Sequence, residues 1–277
     1  MADAMTEEQE YLLGTDHAEL MRLGFQHRVW AAECASGWQQ AGFSQGQKIL
    51  DLGCGPGFAS LDLAYIVGNS GRVLAVDESA RFIKHLQRRS EQEGFANIES
   101  KVCRVEDLKL KPNSLDGIHV RWLLCFLDQG QALIKRLAQA LKPGGTLLVF
   151  DYFDYRAFSL APRSKALDRI VEAIQTSWRQ SNGSLDVQGD TGQWCAQAGL
   201  DVLSIENKSN TARPGSLKWR WPEVFLRGYL PYLETNNLID ADTVEDFWGD
   251  WTQREKTDGS YLILPPLLEI IARKPGT

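Results

Sequence analysis

Residues 47–151 alternate between two hydrophobic periods. Short runs rich in Ile, Leu and Val, "KILDLG" (48–53), "GRVLAVD" (71–77) and the more polar "ANIESKVCRV" (96–105), predict strands. Between them apolar residues recur three and four apart. "FASLDLAYIVG" (58–68) predicts a helix ending at Gly68, and "SARFIKHLQRRSEQEG" (79–94) an amphipathic helix closed by Gly94. A fourth strand begins in "LDGIHVRWLLCFL" (115–127), a helix follows over 129–145 with a Lys-Pro-Gly-Gly stop, and "TLLVFDYFDY" (146–155) supplies a fifth strand. Strands separated by helices of this length specify βαβ units, hence an α/β, doubly wound, mostly parallel sheet.

Outside this core, 6–40 reads as helices, 162–182 as a helix, 200–207 as a strand, and 267–274 as a last strand that Pro265 and Pro266 lead in extended. The stretch 211–261 carries nine aromatic residues, among them Trp219, Trp221, Phe225, Tyr229 and Trp251, with helical spacing in "PEVFLRGYLPYLETNNLI". Its two readings, a packed helical layer and a lid over a substrate pocket, are compatible. The expected division is an N-terminal helical cap (1–44), a core (45–210 and 262–277), and an aromatic-rich helical insertion before the last strand (211–261).

Composition narrows the partners. A net charge of −6 argues against nucleic acid, which requires a basic face. The five cysteines are scattered, odd in number and without a CxxC pair, which points to a reducing compartment with neither disulfide framework nor zinc site. The acidic start "MADAMTEEQEYLLGTD" has no signal-peptide core, and no run approaches the roughly 18 apolar residues of a membrane span. The expectation is a cytoplasmic protein without membrane or metal, monomeric or homodimeric.

The candidate chemistry sits in the first βα turn, where open α/β sheets bind ligands. The dinucleotide pattern G-x-G-x-x-G fails because position 58 is Phe. What stands there is D-x-G-C-G-P-G: Asp51, Gly53, Cys54, Gly55, Pro56 and Gly57. An acid two residues before the first glycine repels a pyrophosphate and suits an ammonium group. The run resembles motif I of the class I S-adenosylmethionine-dependent methyltransferases. Asp77 at the end of strand two, "RVEDL" (104–108) and "LKPGGTLLV" (141–149) agree with that family in order and spacing. The similarity covers roughly 45–155 and includes the ubiquinone/menaquinone C-methyltransferases and related small-molecule enzymes; "YLLGTDHAELMRLGFQHRVW" resembles a cap segment of part of the superfamily.

The resemblance implies a Rossmann-like, seven-stranded fold and S-adenosyl-L-methionine as cofactor, with S-adenosyl-L-homocysteine as product. It implies that Gly53, Cys54 and Gly55 bring backbone to the methionine half, that Asp51 holds its amino group directly or through water, and that Asp77, assisted by Glu78, takes the ribose hydroxyls. Val105 and Glu106 frame the adenine, with Arg104 standing where many relatives carry an acid, and Arg121 ends strand four beside the cofactor. A general base is needed only where the nucleophile carries a proton. The candidates are His27 in the cap and Asp151 and Tyr152 after strand five, with Asp154 and Tyr155 bordering the same pocket. His85 is expected in solvent and His119 in the core. The implied activity is methyl transfer to a small-molecule acceptor by in-line displacement. The alternatives are a protein or RNA methyltransferase, a non-catalytic cofactor-binding regulator, and a nicotinamide-dependent oxidoreductase.

Overall fold

The computed structural model describes Leu13, Thr15 and residues 17–276. The expected helical start at residue 6 lies outside the described residues. The chain opens with α1 (His17–Val29) and α2 (Ala31–Gln40). The alternating core follows: β1 (Lys48–Leu52), α3 (Phe58–Val67), β2 (Arg72–Asp77), α4 (Ala80–Glu93), β3 (Ile98–Val102), β4 (Leu115–Arg121), α5 (Gly130–Ala140) and β5 (Leu141–Tyr152). The remainder is β6 (Ser159–Ala161), α6 (Lys165–Gln180), α7 (Gln188–Gln197), β7 (Asp201–Asn207), β8 (Thr211–Ala212), α8 (Leu217–Thr235), α9 (Ala241–Glu255), β9 (Tyr261–Ile263) and β10 (Leu267–Arg273).

The main sheet has seven strands in the order β3-β2-β1-β4-β5-β10-β7. β3, β2, β1, β4 and β5 run parallel, while β10 is antiparallel to both β5 and β7. The central strands are apolar on both faces because helices cover both: Ile49, Leu50, Leu52, Ile118 and Val120 are fully buried. The order reverses between β1 and β4, so the carboxyl ends of β1 and β2 open on a crevice there.

Several boundaries differ from the sequence reading. α5 ends at Ala140, and Lys142-Pro143-Gly144-Gly145 begins β5 rather than closing the helix. The pairing of β4 with β5 jumps from Leu115↔Leu141 to Gly117↔Thr146, so these residues bulge out of register while Gly144 and Gly145 bond to Lys274. β5 stops at Tyr152 rather than 155, and Tyr155–Ala157 forms a 3-10 turn. α7 and a second antiparallel sheet, β6-β9-β8, carry no sequence expectation. The insertion 211–261 is therefore bracketed by strand residues and encloses two helices. One hydrophobic core holds Trp30 and Trp38 from the cap, Leu50 and Phe150 from the sheet, and Trp219, Phe247 and Trp251 from the insertion.

Candidate functional site

β1 hands the chain to α3 through Gly53, Gly55 and Gly57, with φ of 69°, 53° and 85°. L side chains rarely adopt these values, which is why glycine stands at each. A Cβ on Gly57 would lie 2.3 Å from Leu86, whereas one on Gly55 would meet nothing within 4 Å. The turn is thus packed on one side and open on the other. Asp77, at the end of β2, holds it in place. Its Oδ2 accepts from the Gly55 N–H at 2.8 Å and its Oδ1 from the Ser79 N–H at 2.9 Å. Burial raises the Asp77 pKa to about 6 against the opposing pull of these two bonds.

A cavity of about 620 Å³ runs from this turn beneath α1 and α8. Asp51, Gly53, Cys54, Gly55, Asp77 and Glu78 line it at the glycine turn, and Val105, Glu106 and Arg121 line it nearby. The side chain of Asp51 is already engaged by two neighbours. Its Oδ2 accepts from the Ser60 hydroxyl at 2.5 Å and its Oδ1 lies 2.8 Å from His119 Nδ1. Burial works to raise the Asp51 pKa, but the hydrogen bonds from His119 and Ser60, with the Arg121 charge, hold it below the usual carboxylate value. Burial lowers His119, so the pair is a carboxylate with a neutral imidazole. The Cys54 thiol is pushed well up by burial and by the Asp77 and Asp51 charges, which leaves it protonated.

Arg121 is gripped from the cap. Its Nη1 donates to Cys34 Sγ at 3.0 Å and its Nη2 to His27 Nδ1 at 3.3 Å. Glu106 is half exposed and lies 3.5 Å from Arg104, while Arg136 donates to the carbonyls of Val105 and Glu106, fixing the segment after β3.

The candidates for acid–base work are redistributed. His27 does not line the cavity: it faces α3, with Nε2 3.0 Å from Asp62 Oδ2 and its ring stacked on Phe58. Asp151 is fully buried and also off the cavity, where it accepts the backbone N–H of Cys125 and Tyr152. Its position on β5 points inward by the alternation of a strand, so it serves the β4–α5 connection instead. Tyr152 does line the cavity, as does Tyr155, with ring centroids 5.2 Å apart. Burial raises both phenols, so they remain protonated donors. Asp154 turns outward to Arg156. His85 is half-buried rather than fully in solvent: its Nε2 is buried without a partner and its ring lies against Phe58. His119 is in the core as expected.

Sequence reasoning passed over most of the far wall. Arg22 and Gln26 of α1 line the cavity, Glu19 and Gln26 bond to Arg22, and Gln26 Oε1 also accepts from Trp221 Nε1 of α8 at 2.9 Å. Trp122, directly after β4, adopts φ of 49° and stacks on Trp221 at 6.3 Å. Trp178 and Phe225 complete an aromatic enclosure. The helical spacing of Arg22 and Gln26 and the aromatic run of α8 were the available signals. Among the described residues no group of three or more His, Cys, Asp or Glu side chains is placed to hold a metal, and no helix is long and apolar enough to cross a membrane.

Residues 49–145 match the family described as a methyltransferase domain. The chain is 28% identical over 204 residues to a ubiquinone/menaquinone biosynthesis C-methyltransferase of Cronobacter sakazakii, covering 68% of this chain and 76% of that protein. It is 27% identical over 183 residues to methyltransferase str2 of Strobilurus tenacellus, covering 66% of this chain and 64% of that protein. Among solved structures it resembles a methyltransferase of Bacillus halodurans (TM-score 0.63, 17% identity, 88% of this chain and 99% of that one). It also resembles a geranyl diphosphate C-methyltransferase of Streptomyces coelicolor bound to geranyl diphosphate and S-adenosyl-L-homocysteine (TM-score 0.58, 16% identity, 90% and 80%). At these identities the structural likeness speaks for the fold.

Proposed function

This chain belongs to the class I S-adenosylmethionine-dependent methyltransferases, and from that premise we propose that it methylates a small, largely apolar or aromatic acceptor enclosed by the cap and the insertion. One observation carries the reading: a single cavity is lined at one end by the glycine turn and at the other by Trp122, Trp178, Trp221 and Phe225. Rings supply contact area without requiring a charged ligand, and an enclosed site keeps water away. Relatives named for ubiquinone/menaquinone biosynthesis support a small-molecule acceptor.

The residues at the turn fit the cofactor, because Gly55 leaves open space where a ligand approaches and Asp77 offers a carboxylate beside it. When bound, S-adenosylmethionine would supply a sulfonium-activated methyl group for in-line attack by the acceptor, with S-adenosylhomocysteine as the leaving group. Asp77, with Glu78 beside it, takes the ribose hydroxyls. Asp51 takes the ammonium group, and Val105 and Glu106 border the adenine. Arg121, its guanidinium fixed from the cap, faces the methionine carboxylate. Tyr152 and Tyr155, held protonated by burial, orient the acceptor as hydrogen-bond donors and take no proton from it. His27 and Asp151 act behind the cavity wall. Rate enhancement then comes chiefly from orientation and exclusion of water.

A protein or RNA substrate fits less well, since the chain is acidic overall and the acceptor space is covered by α1 and α8. The test is calorimetric binding of S-adenosylhomocysteine, its abolition in Gly55→Val, and formation of S-adenosylhomocysteine from S-adenosylmethionine with a fractionated metabolite extract. Turnover that requires the protein or RNA fraction of the same extract would overturn the small-molecule reading. Binding of cofactor without turnover in any fraction would favour a regulatory protein.

A further inference from the structure

His119, the partner of Asp51, has no part in the steps above, yet the two form the most buried ionisable pair at the cavity. The two residues are register partners on the adjacent parallel strands β1 and β4, so their side chains leave the sheet on the same face. Asp51 is 2% exposed and His119 1%, and their contact is 2.8 Å. The edge of Trp38 packs on the imidazole at 5.6 Å and holds the ring. A histidine in the middle of a central parallel strand is unfavourable unless its polar atoms find partners. An aliphatic residue would serve the core equally well, so the pairing calls for a reason outside packing.

We propose that His119 is a positioning residue for the cofactor: its Nδ1–H fixes the Asp51 carboxylate as the acceptor for the ammonium group of the methionine half. The inference rests on the cofactor reading above. A carboxylate has about four acceptor positions. Ser60 and His119 occupy one on each oxygen, and Asp51 presents the remainder where it lines the cavity. The charged and titratable groups around the pair come from every neighbouring element. Arg121 of β4 favours the ionised carboxylate, Asp77 of β2 and the Cys54 thiol face it from the glycine turn, and His27 of α1 stands beyond Arg121. Without the imidazole donor, burial and the Asp77 charge act on Asp51 with less to oppose them. The carboxyl then takes up a proton at higher pH and no longer holds a cation.

The test compares S-adenosylhomocysteine with 5′-methylthioadenosine, which keeps adenine, ribose and thioether but lacks the amino-acid tail. Because both ligands meet Asp77 alike, the ratio of their affinities isolates the amino-acid half. In the wild type that ratio is expected to stay constant from pH 6 to 8. In His119→Phe the homocysteine ligand is expected to weaken by about tenfold or more while the tail-less ligand does not, as for loss of a charge-assisted hydrogen bond. The ratio then falls further as pH drops, and His119→Asn, whose amide stands near the Nδ1 position, restores most of it. An equal loss for both ligands, or a ratio in His119→Phe that matches the wild type, would overturn the proposal alone. Failure of both ligands to bind the wild type would overturn it together with the cofactor reading. A measurement on the unaltered protein covers the case in which His119→Phe does not fold. The ¹⁵N shifts of His119 are expected to report an Nδ1–H tautomer with a bare Nε2 across this pH range, and the opposite tautomer would sink the idea.

Discussion

Asp77 performs two tasks with one carboxylate. It closes the glycine turn through Gly55 and Ser79. On the proposed reading it also accepts the two ribose hydroxyls of the cofactor. Asp77→Ala is expected to lower S-adenosylhomocysteine affinity roughly 10- to 150-fold, the range for loss of charge-assisted bonds. The pH dependence has a definite sign. The free carboxyl titrates at about 6, and hydroxyl donors favour its ionised form, so affinity falls as pH drops below about 6. Calorimetry between pH 5 and 8 should show this fall in the wild type and a flat profile in Asp77→Asn. At this scale the sequence was legible where the backbone itself makes the site. Gly53, Gly55, Asp51 and Asp77 sit at the cavity because strand ends and tight turns are local. His119 was legible only as core, because its partner is 68 positions away in the chain. His27 and Asp151 were misread for a related reason: sequence gives the element that carries a side chain, but the face depends on packing.

Two helices from distant parts of the chain, α1 and α8, form the roof of the cavity, joined by the Gln26–Trp221 hydrogen bond. Phe225 is only partly buried on α8 and belongs to the cavity wall rather than to the deep core. Phe225→Ala is therefore expected to raise the acceptor KM severalfold while leaving S-adenosylhomocysteine affinity within twofold of the wild type. Those two measurements distinguish acceptor contact from general loosening. A parallel loss in both would show that α8 acts only as packing. The core helices α3, α4 and α5 and the five parallel strands were readable from periodicity. The Lys-Pro-Gly-Gly segment was not, because its turn signals produce a bulge within a strand instead of a helix stop. α7 escaped because Gly189 and Gly192 interrupt its apolar pattern, and β6, β8 and β9 because two- and three-residue strands have no period to read.

Over the whole molecule, cap, sheet and insertion share one core, so the boundaries drawn in sequence are not seams in packing. Removing 211–261 would expose the partners of Trp219, Phe247 and Trp251, which makes single substitutions the better probe of this insertion. Asp151 tests the core globally. Burial raises it to about 6, above its unfolded value, so its contribution to stability is fully present below about pH 4 and is lost as pH rises through about 6. His119 acts oppositely near pH 6.5, since burial lowers its pKa. The informative quantity is thus the difference between wild type and Asp151→Asn. Urea unfolding should show the wild type losing about 1–2 kcal/mol relative to the variant between pH 5 and 7.5. A pH-independent difference would place the Asp151 carboxyl in a more polar setting. Finally, α1 touches both halves of the cavity, with His27 against Arg121 at one end and Arg22 and Gln26 at the other. On the proposed reading the same helix borders both ligands, so any effect of one ligand on its position is felt by the other. Thermodynamic reciprocity then requires that the factor by which acceptor tightens the cofactor equal the factor by which cofactor tightens the acceptor.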